Sequence, residues 1–278
     1  MNNYVEGKVI VITGANGGFG RTTSEKLALM GAKVVMAARS REKLDPIVED
    51  IRAKGGDVVG VTAAVNKRED VENMIKFAVD TYGRVDVLVN NAGCMPLAPW
   101  YDHAKAIEKW EDCIDTNLKG NMYGVCAVYD QMIEQGEGQI VFISSIYSNF
   151  PTYGSGVYQA TKVGMNYLAD TLRQEALGKI KTTIVRPTGV PSTGLATDIL
   201  DREGAKGIYG KNWDVFLDRS AQNKDGTFPP ESRDVDSITC WEITANEIAD
   251  AIVYAINQPA GVSISDITVR SSNNLYVL

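Results

Sequence analysis

Short apolar, β-branched runs alternate along the chain with longer stretches of helical spacing. Residues 8–13, 32–39, 58–65, 85–89, 139–145, 182–186 and 265–269 read as strands, the run 139–145 as a buried one. Between them, 21–29, 42–54, 69–82, 106–135, 163–177 and 247–257 place apolar residues on one helical face. Gly55-Gly56 predicts the end of the second helix, and Thr244-Ala245-Asn246-Glu247 is a capping-box pattern that opens the last one. Strand and helix in regular alternation predict an α/β chain: a doubly wound parallel sheet of about seven strands, helices on both faces, in one domain over 1–278. The alternation breaks at 191–241, where turn formers gather (Glu203-Gly204, Phe228-Pro229-Pro230) and Tyr209, Trp213 and Phe216 are scattered. An irregular insertion of that length is expected to serve as a lid over a substrate site, or as an oligomer contact.

Three stretches carry chemistry. The first strand runs directly into a glycine turn, Gly14-Ala15-Asn16-Gly17-Gly18-Phe19-Gly20, and then a helix. Strand, glycine turn and helix form the context for binding a pyrophosphate: glycines admit the backbone closely, and free N–H groups with the helix dipole favour the anion. The second strand ends Ala38-Arg39, without the acid that binds the ribose 2′-hydroxyl of NAD. A guanidinium suits a 2′-phosphate, so NADP(H) is expected, with Arg39 as a surface residue the alternative. The fourth strand leads into Asn90-Asn91-Ala92-Gly93, where ligands bind in open parallel sheets. In the third stretch Ser145 ends a buried strand, and Tyr158 and Lys162 follow four apart at the start of a helix. At that spacing phenol and ammonium share a face, and a fixed positive charge is expected to lower the phenol's pKa. A hydroxyl aimed at the phenol could hold a carbonyl or alcohol oxygen between the two.

Composition narrows the classes. The chain has 278 residues, 44% hydrophobic and 23% charged, with a net charge of −7, which argues against nucleic acid or an anionic membrane as partner. No apolar run is long enough for a membrane span, and the first residues lack the basic-then-apolar pattern of a secretory signal. Cys94, Cys113, Cys126 and Cys240 show no metal-ligand spacing, His103 is the one histidine, and no metal site is expected. Reduced thiols and these absences lead to the expectation of a cytoplasmic protein.

Together the motifs resemble the short-chain dehydrogenase/reductase family in its compact oxidoreductase branch. Thr13-Gly14-x-x-x-Gly18-x-Gly20, Asn90-Asn91-Ala92-Gly93, Ser145 and Tyr158-x-x-x-Lys162 fall in the family's order, and Asn117 in Thr116-Asn117-Leu118 matches its fourth catalytic position. Asn117 also stands inside a predicted helix, which suits a local kink or a buried polar task. The resemblance covers about three quarters of the chain, over 7–190 and more weakly 243–270. It implies a Rossmann fold, with Tyr158 as general acid or base and Lys162 tuning it and binding the nicotinamide ribose. Ser145 would bind the substrate oxygen and Asn117 would order a proton-relaying water. It also implies cofactor contacts at Gly14, Asn16, Gly17, Gly18, Phe19, Gly20, Arg39, Ala64, Val65, Asn91, Ala92, Gly93, Tyr158, Lys162, Pro187 and Val190. The departures are Gly17, where many NADP-specific members are basic, Ala64, where Asp or Asn is common, and Pro187-Thr188-Gly189 in place of Pro-Gly.

The expected activity is NADP(H)-dependent interconversion of a secondary alcohol and a ketone. The substrate is expected to be apolar and cyclic, hydroxysteroid-like or terpenoid-like, and to touch Ser145, Tyr147, Tyr153 and Tyr158. Met95, Trp100, Leu195 and Trp213 are further pocket candidates. A silent NADPH-binding regulator and a sugar or polyol dehydrogenase are the alternatives. The resemblance implies a homodimer or homotetramer through the helices that hold Asn117 and Tyr158.

Overall fold

The computed structural model describes residues 2–190 and 193–277. Among the described residues seven strands form one parallel sheet in the order β3-β2-β1-β4-β5-β6-β7: β1 Val9–Thr13, β2 Lys33–Ala38, β3 Asp57–Thr62, β4 Val87–Asn90, β5 Gly138–Ile143, β6 Ile180–Pro187 and β7 Asp266–Val269. The order reverses between β1 and β4, so the connections leave the sheet in opposite directions there and open a crevice at the strands' C-terminal ends. β1 is wholly buried because both its faces are covered: Ile10 and Ile12 join the core on one side of the sheet and Val11 the core on the other.

One core layer packs α1 (Gly18–Leu29), α2 (Arg41–Ala53) and α9 (Ala245–Ile256) on the sheet. The opposite layer packs α3 (Arg68–Tyr82), α5 (Gly120–Gln135) and α6 (Gly156–Glu175). The capping box forms as expected, with the Glu247 carboxylate accepting from the Thr244 N–H at 2.6 Å and the Thr244 hydroxyl accepting from the Asn246 N–H at 3.1 Å. Among the described residues no helix is long and apolar enough to cross a membrane.

Two stretches differ from the sequence reading. The expected helix over 106–135 is α4 (His103–Cys113), a π-helical turn (Ile114–Lys119) and α5, joined without leaving helical backbone. Asn117 sits inside that turn, fully buried, so the kink and the buried polar task coincide. The stretch 191–241, of which Pro191 and Ser192 lie outside the described residues, holds more regular structure than expected: α7 (Lys206–Tyr209) and the thirteen-residue α8 (Trp213–Asp225). No residue of α8 is buried, so no apolar stripe announces it.

The C-terminal segment straps this stretch down. The Ser271 hydroxyl donates to the Trp241 carbonyl at 2.6 Å, the Asn212 amide to the Leu275 carbonyl at 2.8 Å, and the Val277 N–H to the Ile208 carbonyl at 3.0 Å.

Candidate active site

The ends of β1 and β4 are laced together by side chains of the two motifs that follow them. The Thr13 hydroxyl accepts from the N–H groups of Asn91 and Ala92, each at 3.0 Å. The Asn91 amide donates back to the carbonyls of Thr13 at 2.8 Å and Gly14 at 3.2 Å. Gly14 has φ +65°, and a side chain on it would meet the Ala92 Cα at 2.9 Å. A Cβ on Gly20 would come within 2.5 Å of the Gly14 carbonyl oxygen, so this glycine serves the packing of helix against turn. Gly17 is different: its backbone is extended, and a Cβ there would meet no protein atom within 4 Å. It faces a cavity.

That cavity has a volume of about 920 Å³ and runs along the C-terminal edge of the sheet. Gly14, Asn16, Gly17, Gly18 and Phe19 line it at the glycine turn, Arg39 at the end of β2, and Val65 after β3. Asn91, Ala92 and Gly93 continue the wall after β4; Ser145, Tyr147, Tyr158 and Lys162 follow, then Pro187 and Val190 after β6. Six expected residues stand outside the lining: Gly20, Ala64, Trp100, Asn117, Tyr153 and Trp213. Gly20 is behind the turn, and Ala64 donates its N–H to the Asp70 carboxylate at 2.9 Å while Ala63 lines the wall instead. Tyr153 is 53% exposed, and Trp100 is also at the surface. Asn117 lies behind the wall: its Oδ1 accepts from the Cys94 N–H at 3.0 Å, and its Nδ2 donates to the Cys94 carbonyl at 2.9 Å and to Thr161 Oγ1 and Cys113 Sγ, each at 3.2 Å. These bonds hold the π turn against the loop after β4.

The end of the cavity beside β5 and α6 is buried. Ser145, Tyr158 and Lys162 are all buried, and Tyr147 packs edge-to-face on Tyr158 at 5.6 Å. Ser145 lies just beyond β5, its hydroxyl accepts from the Tyr147 N–H at 3.2 Å, and it favours the ionised form of the Tyr158 phenol. Lys162 Nζ donates to the Ile143 carbonyl at 2.7 Å and stands 5.7 Å from the Tyr158 ring centroid. The loop joining Ser145 to α6 is fastened by Gln159, which donates to the carbonyls of Tyr147 at 2.9 Å and Phe150 at 2.6 Å and accepts from the Thr152 N–H at 3.0 Å. Gln159 went unmarked in the sequence, although it adjoins Tyr158.

Electrostatics correct one expectation. Burial pushes the Tyr158 phenol above its ordinary value, with the Ser145 hydroxyl pulling it partly back. Burial likewise holds the Lys162 ammonium down to about 8. Helical spacing alone predicted a lowered phenol, but desolvation of both groups outweighs it. A phenol in this state is a proton donor at neutral pH.

Among the lining residues that sequence reasoning did not assign to the pocket are Tyr209, Glu242 and Tyr276. Tyr276, in the C-terminal segment, is partly buried, sets its hydroxyl against Gly189, and packs edge-on to the Tyr209 ring at 5.0 Å. A Cβ on Gly189 would collide with the Tyr276 hydroxyl, so the glycine of Pro187-Thr188-Gly189 makes room for the tail. Nothing local in the sequence points to these contacts.

A dinucleotide fits the residues present. The α1 N-terminus has no side-chain cap, which leaves its first N–H groups for an anion beside the Cβ-sized space at Gly17. Gly93 is required for a different reason: a Cβ there would press on Asn117 Oδ1 at 3.1 Å and lie 3.7 Å from Lys162 Nζ.

Comparisons with known proteins agree with this geometry. The family model for the short chain dehydrogenase matches residues 8–204. An uncharacterized oxidoreductase of Listeria monocytogenes is 35% identical over 95% of this chain and 96% of its own. Another, of Staphylococcus saprophyticus, is 34% identical over 98% and 99%. Among solved structures, an alcohol dehydrogenase from the archaeon Thermococcus sibiricus complexed with 5-hydroxy-NADP is similar in fold, with a TM-score of 0.77 at 24% identity over 96% of this chain and 98% of that one. A short-chain dehydrogenase/reductase from Burkholderia phymatum in complex with NAD gives a TM-score of 0.75 at 26% identity over 96% and 90%. With the family model, the full-length relatives and the glycine turn, Ser145, Tyr158 and Lys162 on one cavity, the chain belongs to the short-chain dehydrogenase/reductase family.

Proposed function

We propose that this chain is an NADP(H)-dependent oxidoreductase that interconverts a secondary alcohol and a ketone. The observation that carries the reading is the buried group of Ser145, Tyr158 and Lys162 facing the same cavity as the glycine turn. The turn from Gly14 to Phe19, the Asn91–Gly93 wall, Lys162 and the Pro187–Val190 loop would hold the dinucleotide. When bound, its nicotinamide supplies or accepts the hydride. Arg39 supports the NADP reading: it lines the cavity at the end of β2, exposed and without an acid beside it, and Lys43 lines the same corner.

In the reducing direction Tyr158 donates its proton to the ketone oxygen, a role suited to a phenol that burial keeps protonated. The Ser145 hydroxyl donates to the same oxygen and stabilises the charge that develops on it. Lys162, charged below about pH 8, stabilises the tyrosinate left behind, and Asn117 holds the π turn that backs it. In the oxidising direction the proton moves the other way, and Tyr158 is the base. The wall of Met95, Tyr147, Leu195, Phe216 and Trp241 supports a largely apolar, ring-sized substrate body. The apolar side chains exposed on α5 and α6, Met122, Val163 and Tyr167, support a dimer through those helices.

The test is a titration with NADPH and NADH followed by turnover of a cyclic-ketone panel, read at the absorbance of the reduced cofactor. NADPH binding with oxidation by one ketone class is expected. Tyr158→Phe should lose turnover at least about a hundredfold while still binding NADPH; turnover retained in that variant overturns the catalytic assignment.

A further inference from the structure

The cavity continues past Tyr158, and the residues that roof it carry a single sign of charge. Residues 193–276 contribute Asp198 and Glu242 to its lining and, among the described residues, no lysine or arginine. Lining cations come from elsewhere: Arg39 and Lys43 after β2, Lys109 on α4, and Lys162. Asp198 has a partner, since its carboxylate accepts from the Met95 N–H at 3.2 Å.

Glu242 has none. Half-buried, its carboxylate accepts no hydrogen bond and joins no ion pair among the described residues. Desolvation raises its pKa above the ordinary carboxylate value, and Arg233 opposes this only at longer range. Arg233 is exposed and engaged elsewhere, hydrogen-bonded to Asn223 and lying 5.6 Å from the Phe228 ring centroid. A carboxylate withdrawn from water without a partner is costly, and a ligand that brings a cation removes that cost.

The surroundings suit such a ligand. Trp241, Phe216 and Tyr209 line the cavity with Glu242, and aromatic faces attract cations. The Arg219 guanidinium does lie 5.5 Å from the Trp241 ring centroid, but Arg219 is held by the Asn273 carbonyl and does not line the cavity. Phenols line the way to the reacting end: Tyr209 and Tyr276, whose ring centroids lie 5.0 Å apart, share the cavity with Glu242 and Tyr158. An anionic substrate would meet two carboxylates on this route.

We propose that Glu242 receives a cationic nitrogen of the substrate, so that the alcohol or ketone is an amine-bearing compound with its protonated nitrogen remote from the reacting carbon. This rests on the oxidoreductase reading of the same cavity and narrows its substrate class.

The experiment uses three aryl ketones that differ only at the far chain end: a dimethylamino group, protonated at neutral pH, an isopropyl group of the same shape, and a carboxylate. NADPH-dependent reduction by the full chain is followed together with calorimetric binding of each ketone to the protein–NADPH complex. The wild type should favour the amino ketone over the isopropyl ketone by about tenfold in kcat/KM and in affinity, with the carboxylate poorest. In Glu242→Gln that ratio should fall towards unity, with NADPH binding as the check that the variant is folded. Equal use of the amino and isopropyl ketones by the wild type, or a preference that survives Glu242→Gln, overturns the proposal and leaves the oxidoreductase reading standing. Charge-selective binding that depends on Glu242 but leads to no turnover supports the cation site and overturns the oxidoreductase reading. Failure of the amino ketone to bind at all overturns the proposal.

Discussion

Lys162 should make the stability of this fold rise with pH across a range where most proteins gain nothing. The side chain is only 5% exposed, and burial holds its ammonium down to about 8 against an ordinary 10.5. The folded chain therefore binds this proton more weakly than the unfolded chain does. Between about pH 8 and 10.5 the unfolded state carries more protons, and stability must rise with pH there. Below pH 8 the cost of burying the charge is fully present; above about 10.5 it is gone. The gap between the two values, at about 1.4 kcal/mol for each pH unit, corresponds to about 3 kcal/mol. Tyr158 acts oppositely, since its raised pKa makes folding less favourable as pH climbs, but only from about pH 10, where unfolded phenols begin to ionise. From about pH 7 to 10 Tyr158 therefore adds nothing, while the Cys113 thiol, held below its ordinary value by Cys94 and in part by Lys162, titrates together with that lysine. Lys162→Met keeps a chain of similar length and removes the titration. Its loss of the bond to the Ile143 carbonyl is independent of pH and cancels when the pH dependence alone is compared. Urea unfolding of both proteins across that range should show the difference in unfolding free energy moving by about 2 to 3 kcal/mol in favour of the wild type as pH rises. Parallel curves for the two proteins would refute the argument: Lys162 would then be hydrated in the folded state, or its charge matched by a partner.

Arg39→Asp should reverse the cofactor preference, lowering NADPH affinity relative to NADH by at least about tenfold, because a carboxylate repels a 2′-phosphate and accepts from a ribose hydroxyl. Fluorescence titration with both cofactors reads the ratio, and an unchanged ratio would assign the 2′-phosphate to Lys43 or another group. Gly20→Ala should destabilise the fold by about 1 to 3 kcal/mol and weaken dinucleotide binding, because its Cβ would come 2.5 Å from the Gly14 carbonyl oxygen and 2.6 Å from the Asn91 amide. Thermal unfolding with and without NADPH checks both effects, and wild-type behaviour would mean that the turn has slack its geometry does not suggest.

The parallel sheet was legible because strands covered on both sides must be apolar at every position, which leaves continuous runs such as Val9–Thr13 and Val87–Val89. Helices α1, α2, α3 and α9 were legible for the complementary reason: each lays one apolar stripe on that sheet. Helix α8 has no stripe to show, since none of its residues is buried, and its place is set by neighbours that close on it from the C-terminal segment. The π turn was visible only as an awkward Asn117, because an extra residue in a helical turn changes hydrogen bonding without changing composition.

The same division runs through the site. Ser145, Tyr158 and Lys162 lie within one strand–loop–helix unit, so their spacing carries the chemistry and can be read from the sequence. Their protonation could not be read that way: spacing reports proximity, whereas the raised phenol and depressed ammonium come from burial by the whole fold. Tyr209, Glu242 and Tyr276 reach the cavity only through long-range closure, the last from a segment that follows the final strand. Groups that handle the reacting oxygen must be held to fractions of an ångström, and a single rigid unit does this best. Groups that discriminate among substrates can be supplied by the roof, where the chain is under no such constraint. The reaction type was therefore written in the sequence as a local motif. On the proposed reading the substrate preference belongs to the assembled roof, and a single carboxylate there, Glu242, would bear more on what the protein acts upon than the whole of the Tyr158–Lys162 pattern.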